Sequence, residues 1–167
     1  MSQRGEHVFR DETFIPRPRA ETFAFFADAT NLERITPPEL RFEIETQPPI
    51  VMHAGTRIEY RLRLFGVAFR WSTLISTWQP DDVFVDEQLR GPYAQWIHTH
   101  RFFDADGGTR VNDEVRYRLP LFPLGEVGYP LVRRQVARIF AYRGERLGQL
   151  LGSRRLVRSA RLPEGGL

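Results

Sequence analysis

Residues 57–64 read Arg-Ile-Glu-Tyr-Arg-Leu-Arg-Leu, a strict alternation of charged and apolar side chains. Only an extended strand sorts that pattern onto two faces, because successive side chains point to opposite sides. One face is then apolar and must be covered. The same period of two continues through Phe69, Trp71, Thr73, Ile75 and Thr77. It also appears in 40–45, where Leu40, Phe42 and Ile44 alternate with Arg41, Glu43 and Glu45. Turn residues cut the chain between these runs: Pro48–Pro49, Gly55, Gly66, Pro80 to Asp82, Gly91 to Tyr93, and Asp104 to Gly108. They predict strands over 40–45, 57–64, 69–77, 83–90, 95–103 and 109–119. A further strand, VFRDETFIP, stands before them and ends at Pro16. Short turns between consecutive strands call for an antiparallel sheet. A two-residue loop at Gly66–Val67 would pair Leu64 with Phe69 and Leu62 with Trp71.

Two short helices are expected between the first two strands. Phe23, Phe26 and Ala27 fall at helical spacing after Pro18. Thr30-Asn31-Leu32-Glu33 fits a capping box, and Pro37–Pro38 stop the helix it would open. A long helix ends the fold, from about Val127–Tyr129 to Leu151. Its stripe is Val132, Val136, Ile139, Phe140, Leu147 and Leu150 or Leu151. The order predicts an α+β fold: a curved seven-stranded antiparallel sheet wrapped around one long helix. Residues 1–151 form one domain, and 152–167 read as a loosely ordered, Arg-rich tail.

At 167 residues the chain holds one domain's worth of sequence. The absence of Cys excludes disulfides, thiolate zinc sites and iron–sulfur clusters. No apolar run approaches the roughly 20 residues of a membrane span. The start, MSQRGEHVFR, has no apolar signal core, so a cytoplasmic location is expected. All 24 basic residues are Arg. Residues 1–132 carry 15 Arg against 19 acids, net −4, while 133–167 carry 9 Arg against 2 acids, net +7. Such an end suits a solvated helix face. It also suits nucleic-acid phosphates or an anionic membrane. The residues concerned are Arg133, Arg134, Arg138, Arg143, Arg146, Arg154, Arg155, Arg158 and Arg161. They form no single stripe and accompany no nucleic-acid-binding motif, so no specific nucleic acid is expected.

Parity along the strands selects candidate site residues, since directly opposed residues share a face. With Pro92–Tyr93 as the loop, Leu89 faces Trp96, Glu87 faces His98 and Val85 faces His100. With the next turn centred on Asp106–Gly107, His100 faces Asp113, His98 faces Val115 and Trp96 faces Tyr117. The inner face then carries Tyr60, Trp71, Thr73, Glu87, Trp96, His98, His100, Asp113 and Tyr117. The outer face carries Arg61, Arg63, Arg70, Asp86, Arg101, Glu114, Arg116 and Arg118. The inner face is apolar and aromatic with a polar centre of Glu87–His98 and Asp113–His100. Burying such groups requires that they be paired. Three roles are open to them: orienting a ligand's polar atoms, a structural hydrogen-bond network, or acid–base chemistry. In the last, His98 or His100 shuttles a proton, Glu87 or Asp113 fixes its tautomer, and Tyr60, Thr73 or Tyr117 holds a carbonyl oxygen. His-x-His with a carboxylate also matches a metal-ligand set, but the carboxylates are more simply read as ion-pair partners. His7 and His53 lie off this strand pair. No metal and no cofactor is called for, and no nucleophile motif or phosphate loop appears. Trp71, Trp96, Phe69 and Phe102 equally suit a filled core.

A set of residues resembles the SRPBCC superfamily, the START-like or pollen-allergen-like helix-grip proteins, and within it a bacterial ligand-binding group. The residues are Phe14-Ile15-Pro16, the stretch FADATNLERITPP at 26–38, Gly55-Thr56, Leu64 to Val67, Trp71 and Trp78. They continue with Phe84 to Gln88, Gly91 to Tyr93, the series Trp96/His98/His100/Phe102, the series Asp113/Val115/Tyr117/Leu119/Pro120, and Ile139 to Arg143. The resemblance spans about residues 8–150. It implies an internal cavity between sheet and helix, walled in part by Ile139 and Phe140. It also implies a hydrophobic partner, since members carry lipids, sterols, hormones or polyketides. Some are polyketide cyclases or dehydratases, which is the enzymatic alternative here.

Overall fold

The computed structural model describes residues 4–159. Strand β1 (Glu6–Ile15) leads into helices α1 (Arg19–Ala27) and α2 (Asn31–Arg34). After a 3-10 turn at Pro38–Leu40 come β2 (Glu43–Ile44), β3 (Arg57–Leu64), β4 (Val67–Gln79), β5 (Val83–Arg90), β6 (Gln95–Ala105) and β7 (Gly108–Arg118). Helix α3 (Tyr129–Leu151) follows a 3-10 turn at Leu124–Gly128, and β8 (Arg154–Ser159) ends the described chain. All strands join one antiparallel sheet in the order β2-β3-β4-β5-β6-β7-β1-β8.

The sheet has eight strands, one more than the sequence predicts. The extra one comes from the expected tail: residues 154–159 pair with β1. Gly152 makes this possible. It takes φ +72 at the end of α3 and donates its N–H to Gly148 O at 3.0 Å, which ends the helix and turns the chain back. Arg155 then donates to the buried Asp11 carboxylate through Nε at 3.0 Å. The remainder of the expected tail, including Arg161, lies outside the described residues.

Three local expectations are corrected. Thr30 does not cap α2 through its side chain; its N–H and hydroxyl both donate to Asp28 Oδ1, at 2.9 and 2.6 Å. The alternation at 40–45 yields only a two-residue strand, because Leu40 belongs to the 3-10 turn and Arg41 follows in the left-handed region at φ 44. The β3–β4 turn is Phe65–Gly66, both at positive φ (52 and 79), the signature of a type I′ hairpin. Leu64 therefore faces Val67, Leu62 faces Phe69, and Tyr60 faces Trp71. The register differs from the predicted one by two residues, so the side chains through Ile75 keep their predicted face; beyond the bulge at Ile75/Thr77, Trp78 packs inward in place of Thr77.

The core lies on the inner face. Ile58, Tyr60, Leu62, Leu64 and Trp71 pack with Ala29 and Leu40 at one end. Phe23 of α1 packs on Ile15, Phe84, Phe102 and Val111 at the other. Val136 and Phe140 of α3 cover Val115, Tyr117 and Leu119. The buried stripe of α3 is Val136, Phe140, Arg143 and Leu147. A charged residue thus stands at a core position. Among the described residues no helix is long and apolar enough to cross a membrane.

Candidate functional site

A pocket of about 170 Å³ lies between the sheet, α1–α2 and α3. Its walls are mainly apolar: Phe25, Phe26, Ala29 and Leu32 from the short helices, Ile58, Leu62 and Trp71 from β3–β4, and Val136, Ile139 and Phe140 from α3. Trp71 and Trp96 meet edge to face at 5.5 Å, and Tyr60 stacks on Trp71. Tyr60 and Thr73 hydrogen-bond each other through their hydroxyls at 2.9 Å. Of the predicted residues, Tyr60, Trp71, Thr73, Trp96, His98, His100, Ile139 and Phe140 line this pocket. Asp113 and Tyr117 stand behind the wall, 3% and 2% exposed, and are not among the lining residues.

Glu87 is not part of the site. The β5–β6 register pairs Asp86 with His98, Phe84 with His100 and Glu87 with Ile97, one residue away from the predicted alignment. A one-residue slip exchanges the faces of a strand. Asp86, expected outside, points inward, and Glu87 points out. The cause is the loop. Residues 92–93 do not form a two-residue turn. Gln88 instead spans a wider loop, donating to Tyr93 O at 2.7 Å and accepting from Tyr93 N at 3.3 Å. The β6–β7 register is the predicted one, with His100 opposite Asp113 and Trp96 opposite Tyr117.

The polar centre is a closed square of two carboxylates and two imidazoles. His98 Nε2 lies 2.9 Å from Asp113 Oδ1, and His100 Nε2 lies 3.0 Å from Asp86 Oδ2. The other nitrogens close the square: His98 Nδ1 is 3.5 Å from Asp86 Oδ2, and His100 Nδ1 is 2.8 Å from Asp113 Oδ1. This last contact is close but out of line for a hydrogen bond. Phe84 stacks on His100 at 4.2 Å.

Burial works against every charge in the square. Burial would raise Asp113, yet His100 and His98 outweigh it and hold the carboxyl well below the usual range. Burial would raise Asp86 too, and the two imidazoles lower it overall. Burial would depress His100, but Asp113 and Asp86 hold its pKa above the ordinary value. His98 is held below its ordinary value, first by burial and then by the neighbouring His100. Arg143, 9% exposed, adds a positive charge that also lowers Asp86.

Arg143 lines the pocket; the sequence places it among the basic residues and in the 139–143 stretch of the resemblance, but not among the site residues. The signal that separates it is spacing: it stands three after Phe140 and four before Leu147, on the apolar stripe. Asp86, His98 and His100 place ligand atoms within 4.8 Å of one another, so they could share one metal ion. The carboxylate of that set is Asp86, where the sequence offered Glu87 or Asp113.

The other basic residues are dispersed. Arg138 pairs with Glu39 at 2.7 Å, Arg146 donates to Arg34 O at 3.1 Å, and Arg154 lies over the Phe14 ring. His7 pairs with Glu126 and stacks on Tyr129, and His53 contacts Ala54 O, both away from the square.

No family model matches the sequence, and no curated protein matches it. Solved structures do. The protein TTHA0849 from Thermus thermophilus is 22% identical with a TM-score of 0.65, over 87% of this chain and 97% of that one. The ZhuI aromatase/cyclase from Streptomyces sp. R1128 is 16% identical with a TM-score of 0.62, over 87% and 96%. Ara h 8.0201 is 20% identical with a TM-score of 0.56, over 86% and 99%. At such identities the likeness is one of fold, and it agrees with the strand order, the paired short helices and the covering α3: this chain has the helix-grip fold of the SRPBCC proteins.

Proposed function

We propose that the pocket holds a hydrophobic small molecule, a lipid, a polyketide or a compound of similar character, between the sheet and α3. The observation that carries this is an apolar pocket with one polar cluster of paired carboxylates and imidazoles on its wall. Apolar walls supply affinity, and a few convergent polar groups set orientation. Tyr60, Trp71, Trp96, Ile139 and Phe140 enclose the ligand; Thr73, Asp86, His98 and His100 meet its polar atoms. Asp113 acts through the imidazoles it holds. Titration with a panel of apolar compounds, read by the fluorescence of the pocket tryptophans, tests this. Saturable quenching that disappears in Leu62→Trp, which fills the pocket, is expected. Quenching unaltered by that substitution contradicts the proposal.

A second reading is acid–base catalysis of the aromatase/cyclase kind. Two observations favour it. His98 stands at the pocket wall with its pKa held down by burial and its tautomer set by Asp113. One of the similar structures is also an aromatase/cyclase. His98 moves the proton, and Tyr60 and Thr73 hold a carbonyl oxygen. Cyclisation of a poly-β-ketone probe at a rate lost in His98→Gln is expected. Product formation no faster than without protein contradicts it.

Contact with an anionic membrane rests on different residues. Leu121, Phe122, Leu124, Val127 and Leu131 are all more than half exposed, and Arg133 and Arg134 follow in the next turn. Apolar and cationic side chains together suit a headgroup boundary. Sedimentation with phosphatidylglycerol vesicles but not phosphatidylcholine vesicles, lost in Leu124→Asp/Val127→Asp, is expected. Equal binding to both vesicles contradicts it.

A further inference from the structure

We infer that the ligand is an oxyanion, an apolar carboxylate in its simplest form, whose charged end docks on Arg143 and which offers a second oxygen acceptor to Trp71. This rests on the ligand-binding reading and names the class of molecule.

The wall of the pocket has unfilled polar valences on Arg143, on Trp71 and on His100, whose Nδ1 sits close to Asp113 but out of line for a hydrogen bond. Nε and Nη1 of Arg143 are buried with no hydrogen-bond partner among the described residues, and so is Nε1 of Trp71. Both residues line the pocket and both are more than nine-tenths buried. Guanidinium and indole N–H groups only donate. Elsewhere on the wall the polar groups serve one another: Tyr60 bonds Thr73, and His100 bonds Asp86. What Arg143 and Trp71 lack is therefore acceptors. Phe140 lies 5.1 Å from the Arg143 guanidinium carbon, a face contact that leaves the in-plane N–H groups unused.

A buried cation without hydrogen bonds is a costly arrangement unless something completes it. Asp86 and Asp11 feel the charge of Arg143 but accept no hydrogen bond from it. A carboxylate has several lone pairs and forms charge-assisted bonds to guanidinium. Its apolar body would lie against Ile139, Phe140 and the tryptophans. A neutral amide of the same shape offers one acceptor and no charge, so it isolates the contribution of the anion.

The test is calorimetric titration of the full chain with octanoate, dodecanoate and 2-naphthoate, each against its primary amide. At least one acid is expected to bind tenfold or more tightly than its amide. Arg143→Met is expected to abolish that preference while binding the amide as before. Arg143→Lys, which keeps the charge without the planar fork, should retain part of the preference, and it serves if the Met variant fails to fold. Amides that bind as tightly as their acids overturn this inference and leave the ligand-binding reading standing. An acid preference that survives Arg143→Met also overturns it. Binding of no acid and no amide contradicts both.

Discussion

His100 Nε2 and Asp86 Oδ2 lie 3.0 Å apart across the β5–β6 ladder, with the His100 ring 4% exposed. The neighbouring residue, Glu87, faces away from the pocket. The two acids should thus behave oppositely on neutralisation. Asp86→Asn removes one of the two carboxylates that raise the His100 pKa, so that pKa falls. Glu87→Gln leaves both histidines unchanged. Histidine NMR titration of the two variants checks this.

The same titration of the native protein separates the two rings. His100 is expected to titrate above 6.5 and His98 below it. The signs in stability are opposite. The raised pKa of His100 contributes stability that is present below about 6.5 and lost as pH rises through its folded value. The depressed pKa of His98 contributes stability that is present above about 6.5 and lost as pH falls through its folded value. Because the rings are 3.8 Å apart, they titrate as a coupled pair in two steps.

Asp113 touches both imidazoles and is 3% exposed. Asp113→Asn removes the carboxylate that both buried imidazoles share. A loss of about 3 kcal/mol is expected, the lower end for breaking a buried ion pair. Urea unfolding measures it. Because Asp113 is behind the pocket wall, ligand affinity should fall less than it does in Asp86→Asn.

Burial raises the Asp11 carboxyl from 3.8 to about 6 against the pull of Arg155. Between about 3.8 and 6 the folded chain thus binds a proton that the unfolded chain has released. Its contribution is complete below about 3.8 and is lost as pH rises through about 6. The native chain should therefore lose stability relative to Asp11→Asn as pH is taken from 4 to 7. Paired unfolding curves across that range check the sign.

Phe65 occupies the first central position of the β3–β4 turn at φ 52 and is 52% exposed. A left-handed conformation costs an L-residue roughly 1–2 kcal/mol, and Asn tolerates it better. Phe65→Asn is expected to stabilise the chain by about 1 kcal/mol, and Gly66→Ala to destabilise it by a similar amount. Thermal unfolding distinguishes the two signs.

Much of this fold is legible in the sequence because alternation is a strong signal where one face is buried. Residues 57–64 show it fully, with charged residues exposed and apolar ones buried in turn. The β3–β4 loop lies two residues of register from its expected place without consequence, since parity survives an even slip. The β5–β6 ladder lies one residue from its expected register, and that exchanges Asp86 for Glu87. Loop chemistry decides it: the Gln88 side chain closing on Tyr93 has no local signature in sequence. β8 is hidden for another reason. Its sequence, Arg-Arg-Leu-Val-Arg-Ser, has the composition of a solvated tail, and partners remote in sequence, Asp11 and the bare backbone at Gly144, give Arg155 its place. Arg143 is obscured by its own charge, although its helical spacing marks it as inward.

The most direct test is the native mass of gently purified protein beside its denatured mass. The account predicts an excess of organic-molecule size that vanishes on denaturation and is missing from Ala29→Trp, which fills the pocket at a lining residue. No excess mass in the native chain, together with no binding of any apolar probe, would contradict it. So would an excess carried equally by Ala29→Trp.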